Sequence, residues 1–299
     1  MTVMISLIGE QPIPNLLVLR HERPKEAVLV STDHTHAVAR RLEDLLRSEI
    51  AVDHLTIDDA FDIQKIRETL RKVLKTRGQP RGEWVFNLTG GTKPMSLAAH
   101  QLATKLKASF LYLQSEGKRS RLYRYSFQDG EYYKEADELL PTLITIDDYL
   151  RAHVGDYRLK QPGSAFGGRF ERAIAEALEG TGLEVKVGAV LAGALEVDLV
   201  VRHANQVGVI QAKTGGAARK KDGLRELNAA CEQRYLGTYT TKILAINRRW
   251  DKTLTNLREL AQAWRIRVVE LPSFTGKNPS LSSEDRARLQ KQVFETLGG

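Results

Sequence analysis

The stretch 87-NLTGGTKPMSLAAH-100 decides how the first half of the chain is read. An apolar run, Trp84-Val85-Phe86, leads into it, and a segment of helical periodicity leads out. Two adjacent glycines, two threonines and a lysine occupy the turn between them. A strand entering a helix through such a turn is the unit of a parallel sheet with covering helices. The alternation continues on both sides. Apolar runs at 3–8, 27–30, 52–57, 84–88 and 109–113 predict strands, and periodicity at 36–47, 63–75 and 94–106 predicts helices. Residues 121–127 and 131–134 read as a hairpin around Asp129-Gly130. Segment 136–153 reads as a connecting helix interrupted at Pro141.

In an open parallel sheet, ligands bind beyond the carboxyl ends of the strands. Asn87 to Lys93 sits at such an end. Gly90 and Gly91 let the backbone approach a ligand and take positive φ. The helix that follows aims free N–H groups and its positive dipole end at the same space. Thr89 and Thr92 add hydroxyls, and Lys93 adds a charge. Two readings fit these residues: a phosphate-bearing ligand, or a tight turn whose glycines solve backbone geometry alone. The spacing is neither G-x-x-x-x-G-K-[ST] nor G-x-G-x-x-G. Two other strand ends face the same edge. The first strand runs into 9-GEQPIPN-15, read as a polar loop stiffened by two prolines, and the second into 31-STDHTH-36.

The second half has a different order. The seam falls at 156-DYRLKQPGSAFGG-168. Beyond it come a helix at 169–178, strands at 183–191, 195–201 and 207–212, a helix at 224–235, a strand at 242–246, a helix at 254–264 and a strand at 267–271. Charge divides the same way. Residues 1–150 carry 21 Lys/Arg and 21 Asp/Glu, and residues 151–299 carry 24 and 16, so the whole net charge of +8 lies in the second half. A basic half suits a polyanion, or is a solvated basic surface. The single cysteine, Cys231, excludes an internal disulfide and suits a reducing cytoplasm. No apolar run reaches the ~18 residues of a membrane span.

The segment 195-LEVDLVVRHANQVGVIQAKTG-215 holds two strands joined by a polar turn. Glu196 and Asp198 are two apart and share a face, as do Gln211 and Lys213. Paired as a hairpin, the strands bring Asp198, Gln211 and Lys213 to one end of the sheet. Carboxylates there hold Mg²⁺ or Mn²⁺, and a lysine beside them orients water or stabilises developing charge. Asp-x(12)-Gln-x-Lys resembles the D…(D/E)-x-K core of metal-dependent nucleases, with glutamine in place of the acid. Glu171, in 167-GGRFE-171, matches the helix acid of that group, or complements a helix dipole from the first turn. The Ala212 carbonyl is a further candidate ligand. Arg219, Lys220, Lys221 and Arg225 follow around a glycine pair and are read as tracking a nucleic-acid backbone, or as a solvated loop.

The strings S-L-I-G-E-Q-P-I-P-N, V-S-T-x-x-T and N-x-T-G-G-T-K-x-M resemble the CARF domain of CRISPR ancillary nucleases. These are the Can and Card proteins, in which a CARF domain is fused to a PD-(D/E)xK nuclease. The resemblance implies an α/β chain: a Rossmann-like CARF domain with a parallel sheet over 1–150, a linker over 151–168, and a restriction-endonuclease-like domain over 169–299. It implies that Gly9, Glu10, Gln11, Asn15, Ser31, Thr32, Thr35, Asn87, Thr89, Gly90, Gly91, Thr92, Lys93 and Met95 line a pocket for cyclic oligoadenylate. The tetramer is the expected ring, bound across a cytoplasmic homodimer, with a contribution from the loop at 114–117. Glu171, Glu196, Asp198, Gln211 and Lys213 would be catalytic with Mn²⁺ or Mg²⁺. Glu171, Asp198, Gln211 and Ala212 would hold the metal, and DNA or RNA would be cut. Two rivals stand beside this: a non-catalytic sensor with a decayed nuclease domain, and a CARF domain that degrades its own ligand.

Overall fold

The computed structural model describes residues 2–77, 83–116, 118–191 and 195–298. The chain forms two compact units, divided between Leu143 and Ile144.

The first unit runs β1 (Val3–Leu7), α1 (Pro12–Glu22), β2 (Glu26–Ser31), α2 (His36–Leu46), β3 (Ala51–Thr56), α3 (Ile63–Arg77), β4 (Trp84–Asn87), α4 (Lys93–Leu106), β5 (Ser109–Glu116), β6 (Arg119–Gln128) and β7 (Glu131–Leu139). The strands form one sheet in the order β3-β2-β1-β4-β5-β6-β7. The first five are parallel, and β6 and β7 return antiparallel. The order reverses direction at β1, whose neighbours are β2 and β4. The crevice at a topological switch point therefore opens beside β1 and β4. Val3, Ile5 and Leu7 of β1 point into a core shared with α3 and α4. Ser6 points to the other face, where it meets α1.

Two expectations for this unit need correction. The segment with two prolines is a helix start and not a loop: Pro12 opens α1 and Pro14 lies in its first turn. Proline is tolerated there because the first N–H groups of a helix have no internal partner. The connecting helix expected at 136–153 forms only beyond its interruption at Pro141. Residues 136–139 extend β7, and the helix is confined to α5 (Ile146–Val154) of the second unit, opened by a Thr145–Asp148 capping box. The Asp129-Gly130 hairpin turn has positive φ at both residues, 49° and 93°.

The second unit continues with β8 (Tyr157–Leu159), α6 (Phe166–Leu178), β9 (Glu184–Leu191), β10 (Leu195–His203), β11 (Gln206–Lys213), α7 (Asp222–Ala230), β12 (Thr241–Ile246), α8 (Thr255–Ala263), β13 (Ile266–Glu270) and α9 (Ser283–Leu297). Its sheet has the order β13-β12-β11-β10-β9-β8, with β11, β12 and β13 parallel and the rest antiparallel. Helices α6 and α9 cover the face carrying Leu199, Val201, Ile210 and Ala212. Helix α7 covers the opposite face, where Gly223 lies against Leu244 and Lys213.

Gly188 is where β8 joins the sheet. Its φ is +67°, and a Cβ there would fall 1.8 Å from the Lys160 carbonyl oxygen. The Lys160 N–H donates to the Gly188 carbonyl at 2.7 Å. Gly188→Ala is therefore expected to strip β8 from the sheet and cost about 2 kcal/mol or more in denaturant unfolding. Hydrogen exchange of residues 157–160 would rise sharply in the variant. Unchanged protection there would contradict this packing.

Candidate functional site

At the carboxyl edge of the first sheet, the ends of β1 and β4 and the start of α1 are tied together by side chains that never reach the surface. Ser6 donates to Asn15 Oδ1 at 2.9 Å, and Asn87 Nδ2 donates to Ser6 Oγ at 2.9 Å and to Asn15 Oδ1 at 3.0 Å. All three residues are fully buried. Asn87 Oδ1 in turn accepts from the Thr89 N–H at 3.1 Å and the Thr89 hydroxyl at 2.6 Å. Thr89 Oγ1 accepts the Leu113 N–H at 2.9 Å, fixing the loop to β5. On the other flank the Thr92 hydroxyl donates to the Ala60 carbonyl at 2.7 Å and accepts from Met95 N as the N-cap of α4. Gly90 lies so close to β1 that an added Cβ would sit 2.2 Å from the Leu7 carbonyl oxygen and 2.8 Å from Asn15 Nδ2.

This arrangement sorts the expected pocket residues. Asn15, Ser31, Asn87 and Met95 are buried and support the loops from beneath, and Thr35 is buried as the N-cap residue of α2. Gly9, Gln11, Thr32, Thr89, Gly90, Gly91 and Thr92 are partly exposed, and Glu10 and Lys93 are exposed. Glu10 Oε1 and His34 Nε2 lie 2.6 Å apart, joining the loops after β1 and β2. Helices α1, α2 and α4 all begin at this edge, and none has an acid in its first turn. Their positive ends are left for an anion. An open pocket of about 730 Å³ adjoins the loop, lined by Thr89, Gly90, Gly91 and Lys93 among others. Of the loop at 114–117, residue 117 lies outside the described residues.

In the second unit, β9 and β10 pair on either side of Asp198, which stands opposite the positive-φ Gly188. Asp198 Oδ2 accepts the Ala212 N–H at 2.7 Å, just where the β10–β11 pairing ends. The Asp198 carboxyl is raised to about 7, chiefly by burial, against the Ala212 hydrogen bond, which lowers it. Glu171 and Glu226 contribute to the rise, and Lys213 opposes it. Glu171 is also raised, first by burial and then by Glu196, against Lys213 and Lys160. Glu171, Asp198 and Lys213 thus lie within electrostatic reach of one another. Glu171 is in the second turn of α6, not the first, because the helix begins at Phe166. Complementing the helix dipole does not account for it.

Gln211 is 4% exposed, on the strand face of Lys213. Glu196 is turned to Lys160, with Nζ to Oε2 3.0 Å. Sequence reasoning missed one participant. Glu226 on α7 holds Lys213, Oε2 to Nζ 2.6 Å. The signal was Gly223: its missing Cβ lets α7 approach Lys213 Cγ, and Glu226 follows one turn later. Among the described residues no three His, Cys, Asp or Glu side chains come together in a metal-holding group. The residues expected to hold a metal, Glu171, Asp198, the Gln211 amide and the Ala212 carbonyl, would offer hard oxygens of the kind Mg²⁺ and Mn²⁺ take. Two carboxyls held above their usual range are what a divalent cation would relieve. Lys220, Lys221 and Arg225 are exposed, while Arg219 pairs with Asp251 at 2.8 Å. Trp250 is core, donating to the Ala218 carbonyl at 2.7 Å.

Residues 3–149 match the Card1 CARF domain family. The first unit carries a CARF domain. The fold of the chain is also that of Can2 from Sulfobacillus thermosulfidooxidans, solved in complex with cyclic tetra-adenylate (cA4). The likeness has a TM-score of 0.72 at 13% identity and covers 99% of this chain and 97% of that one. Protein VC1899 from Vibrio cholerae is similar at TM-score 0.73 and 14% identity, over 100% and 99% of the two chains. A type III CRISPR defence DNA nuclease activated by cyclic oligoadenylate matches at TM-score 0.56 and 18% identity, over 83% of this chain and 46% of that one. Among curated protein sequences none matches the chain. Among the described residues no helix is long and apolar enough to cross a membrane.

The Asp198 environment predicts a pH dependence. The unfolded carboxyl loses its proton near 3.8 and the folded one near 7. The folded state binds more protons between these values, so stability falls as pH rises from about 4 to 7 and levels off above. Asp198→Asn should flatten that decline and be the more stable protein at pH 8, by on the order of 3 kcal/mol. Urea unfolding at pH 4, 6 and 8 measures it, and parallel profiles for the two proteins would contradict it.

Proposed function

We propose that the chain is a metal-dependent nuclease of type III CRISPR defence, switched by cyclic oligoadenylate bound to its CARF domain. One observation carries the reading. A CARF domain with an anion-ready loop is joined to a unit in which Glu171 and Asp198 are both raised by burial, with Lys213 opposing the rise of each. The second unit is read as a PD-(D/E)xK-like nuclease, and the ligand as the cyclic tetramer, which Can2 binds in its solved complex. Lys93, the Gly90-Gly91 backbone and the N-terminal ends of α1, α2 and α4 bind its phosphates. A two-fold ring is matched by a two-fold homodimer. The ligand acts through a difference in its affinity for two arrangements of the dimer.

Glu171, Asp198, Gln211 and the Ala212 carbonyl would hold Mn²⁺ or Mg²⁺. When bound, the metal supplies charge to polarise a phosphate and acidify a water. The chain's own part is positional. Asp198, fixed by the Ala212 N–H, keeps its free oxygen lobe in the site. Lys213 brings a positive charge to the developing phosphate charge, held ready by Glu226. Lys220, Lys221 and Arg225 engage the DNA or RNA backbone without reading sequence.

The neutral Gln211 favours a second reading, a non-catalytic sensor whose second unit only binds nucleic acid or a partner. Cleavage separates the two. Protein incubated with supercoiled plasmid, single-stranded DNA and RNA is expected to cut at least one of them. Cutting should need Mn²⁺ or Mg²⁺ and cyclic tetraadenylate, and Asp198→Ala and Lys213→Ala should lower it at least ~100-fold. No cutting under any condition, with tight ligand binding retained, would leave the sensor.

A further inference from the structure

The second unit has a cavity of about 460 Å³ along the outer edge of β13, the last strand of its sheet. Three arginines, Arg258, Arg265 and Arg267, line it together with the apolar Ala261, Ile266 and Val268, and no carboxylate does. The cavity is remote from Asp198 and Lys213. Ile266 lies level with Lys242 and Val209, whereas Lys213 lies level with Ile246 and Glu270. The offset is four residues along β11 and two strands across the sheet, about 13 Å and 10 Å.

The three arginines are not equivalent. Arg258 meets Glu270 at 2.8 Å. Arg265 and Arg267 are exposed and, among the described residues, have no carboxylate partner. Lys242 on β12 adds to the positive field. Its Nζ donates to Asn228 Oδ1 at 3.1 Å, an amide and not an acid. Its ammonium is held below the usual range, first by burial, against Cys231, and also by Arg265.

The bare edge of β13 is too short to seat an added strand. Leu271 turns its N–H toward β12, donating to the Ile246 carbonyl at 2.7 Å, so Glu270, Val268 and Ile266 turn their backbone groups outward. Arg288 already donates to the Glu270 carbonyl at 2.9 Å. That leaves the backbone of Val268 and Ile266, which is room for a compact anion but not for a ladder of main-chain bonds.

We infer that this cavity is a site for a phosphomonoester, the terminal phosphate of a nucleotide or of a nucleic-acid strand, held by Arg265 and Arg267. Two guanidiniums without counterions match the roughly two negative charges that such a group carries near neutral pH, where a diester carries one. Arginine forks take phosphate oxygens in pairs. Ala261 and Val268 offer apolar surface to the ester-linked body, and the volume falls within the usual range for small-ligand sites. The site is distinct from the cyclic-oligoadenylate and metal sites and stands without either.

The test is calorimetric titration of the full chain, without divalent metal, with hexathymidylate carrying a 5′-phosphate and with the same strand lacking it. Wild type should bind the phosphorylated strand at least about 10-fold more tightly, and Arg265→Gln/Arg267→Gln should abolish that difference. Lys277→Gln/Lys291→Gln, which removes the same charge from exposed positions outside the cavity, should preserve it. Thymidine 5′-monophosphate separates the two sources: competition with the phosphorylated strand identifies the free nucleotide as an occupant, and its absence identifies the strand end. Equal binding of the two strands by wild type, or binding of neither, would overturn the site. So would an unchanged difference in the arginine variant, or the same loss in the lysine variant. None of these results bears on the CARF ligand or on cleavage.

Discussion

The first unit depends on how closely Gly90 approaches the end of β1. No side chain fits at that point, because a Cβ would lie 2.2 Å from the Leu7 carbonyl oxygen. The contact draws the loop after β4 over the end of β1, at the point where the strand order reverses. Ser6, Asn15 and Asn87 complete the constraint as a buried polar triangle joining β1, α1 and β4. A buried polar network of this kind is costly unless its members are paired. Asn15 Nδ2 nonetheless stays without a protein partner, in a network otherwise satisfied. What the triangle secures is a loop whose backbone and threonines are fixed before any ligand arrives. Preorganisation of that sort lowers the ordering cost of binding.

Much of this was legible in the sequence, for identifiable reasons. The buried strands of the first sheet are short apolar runs bounded by turn residues, and α2, α3 and α4 show helical spacing, so period and punctuation agree. The failures share a cause as well. Helix α1 carries prolines at Pro12 and Pro14, and these look like loop residues until their place in the first turn is known. Strand β8 is three residues long and is held by its approach to Gly188, which no local pattern announces. Asn15 and Asn87, which the resemblance places in the pocket lining, occupy the interior. A polar residue in an apolar context marks a demand for a hydrogen bond without saying whether a ligand or a neighbour meets it.

The second unit follows the same logic with charges. Asp198, Glu171 and Lys213 are far apart in sequence, and pairing of β10 with β11 and packing of α6 bring them within reach of one another. Strand alternation together with the expected hairpin was enough to bring Asp198, Gln211 and Lys213 to one end of the sheet. It could not supply Glu226, which comes from α7 and reaches Lys213 from across the sheet surface. Replacing an acid by Gln211 lowers the negative charge that would hold a cation, while Glu226 keeps a carboxylate beside Lys213. Net charge divides along the chain into a neutral first half and a basic second half, as the proposed split between ligand binding and nucleic-acid contact would require.

The central claim is that the Thr89–Lys93 loop is a phosphate site for cyclic oligoadenylate, and Lys93 is its one exposed cation. Calorimetric titration of cyclic tetraadenylate at two salt concentrations tests it most directly, with wild type compared against Lys93→Glu. The account predicts binding to wild type that weakens with salt, and loss of that binding in the variant without loss of folding. Equal affinity of both proteins for the ligand would contradict it.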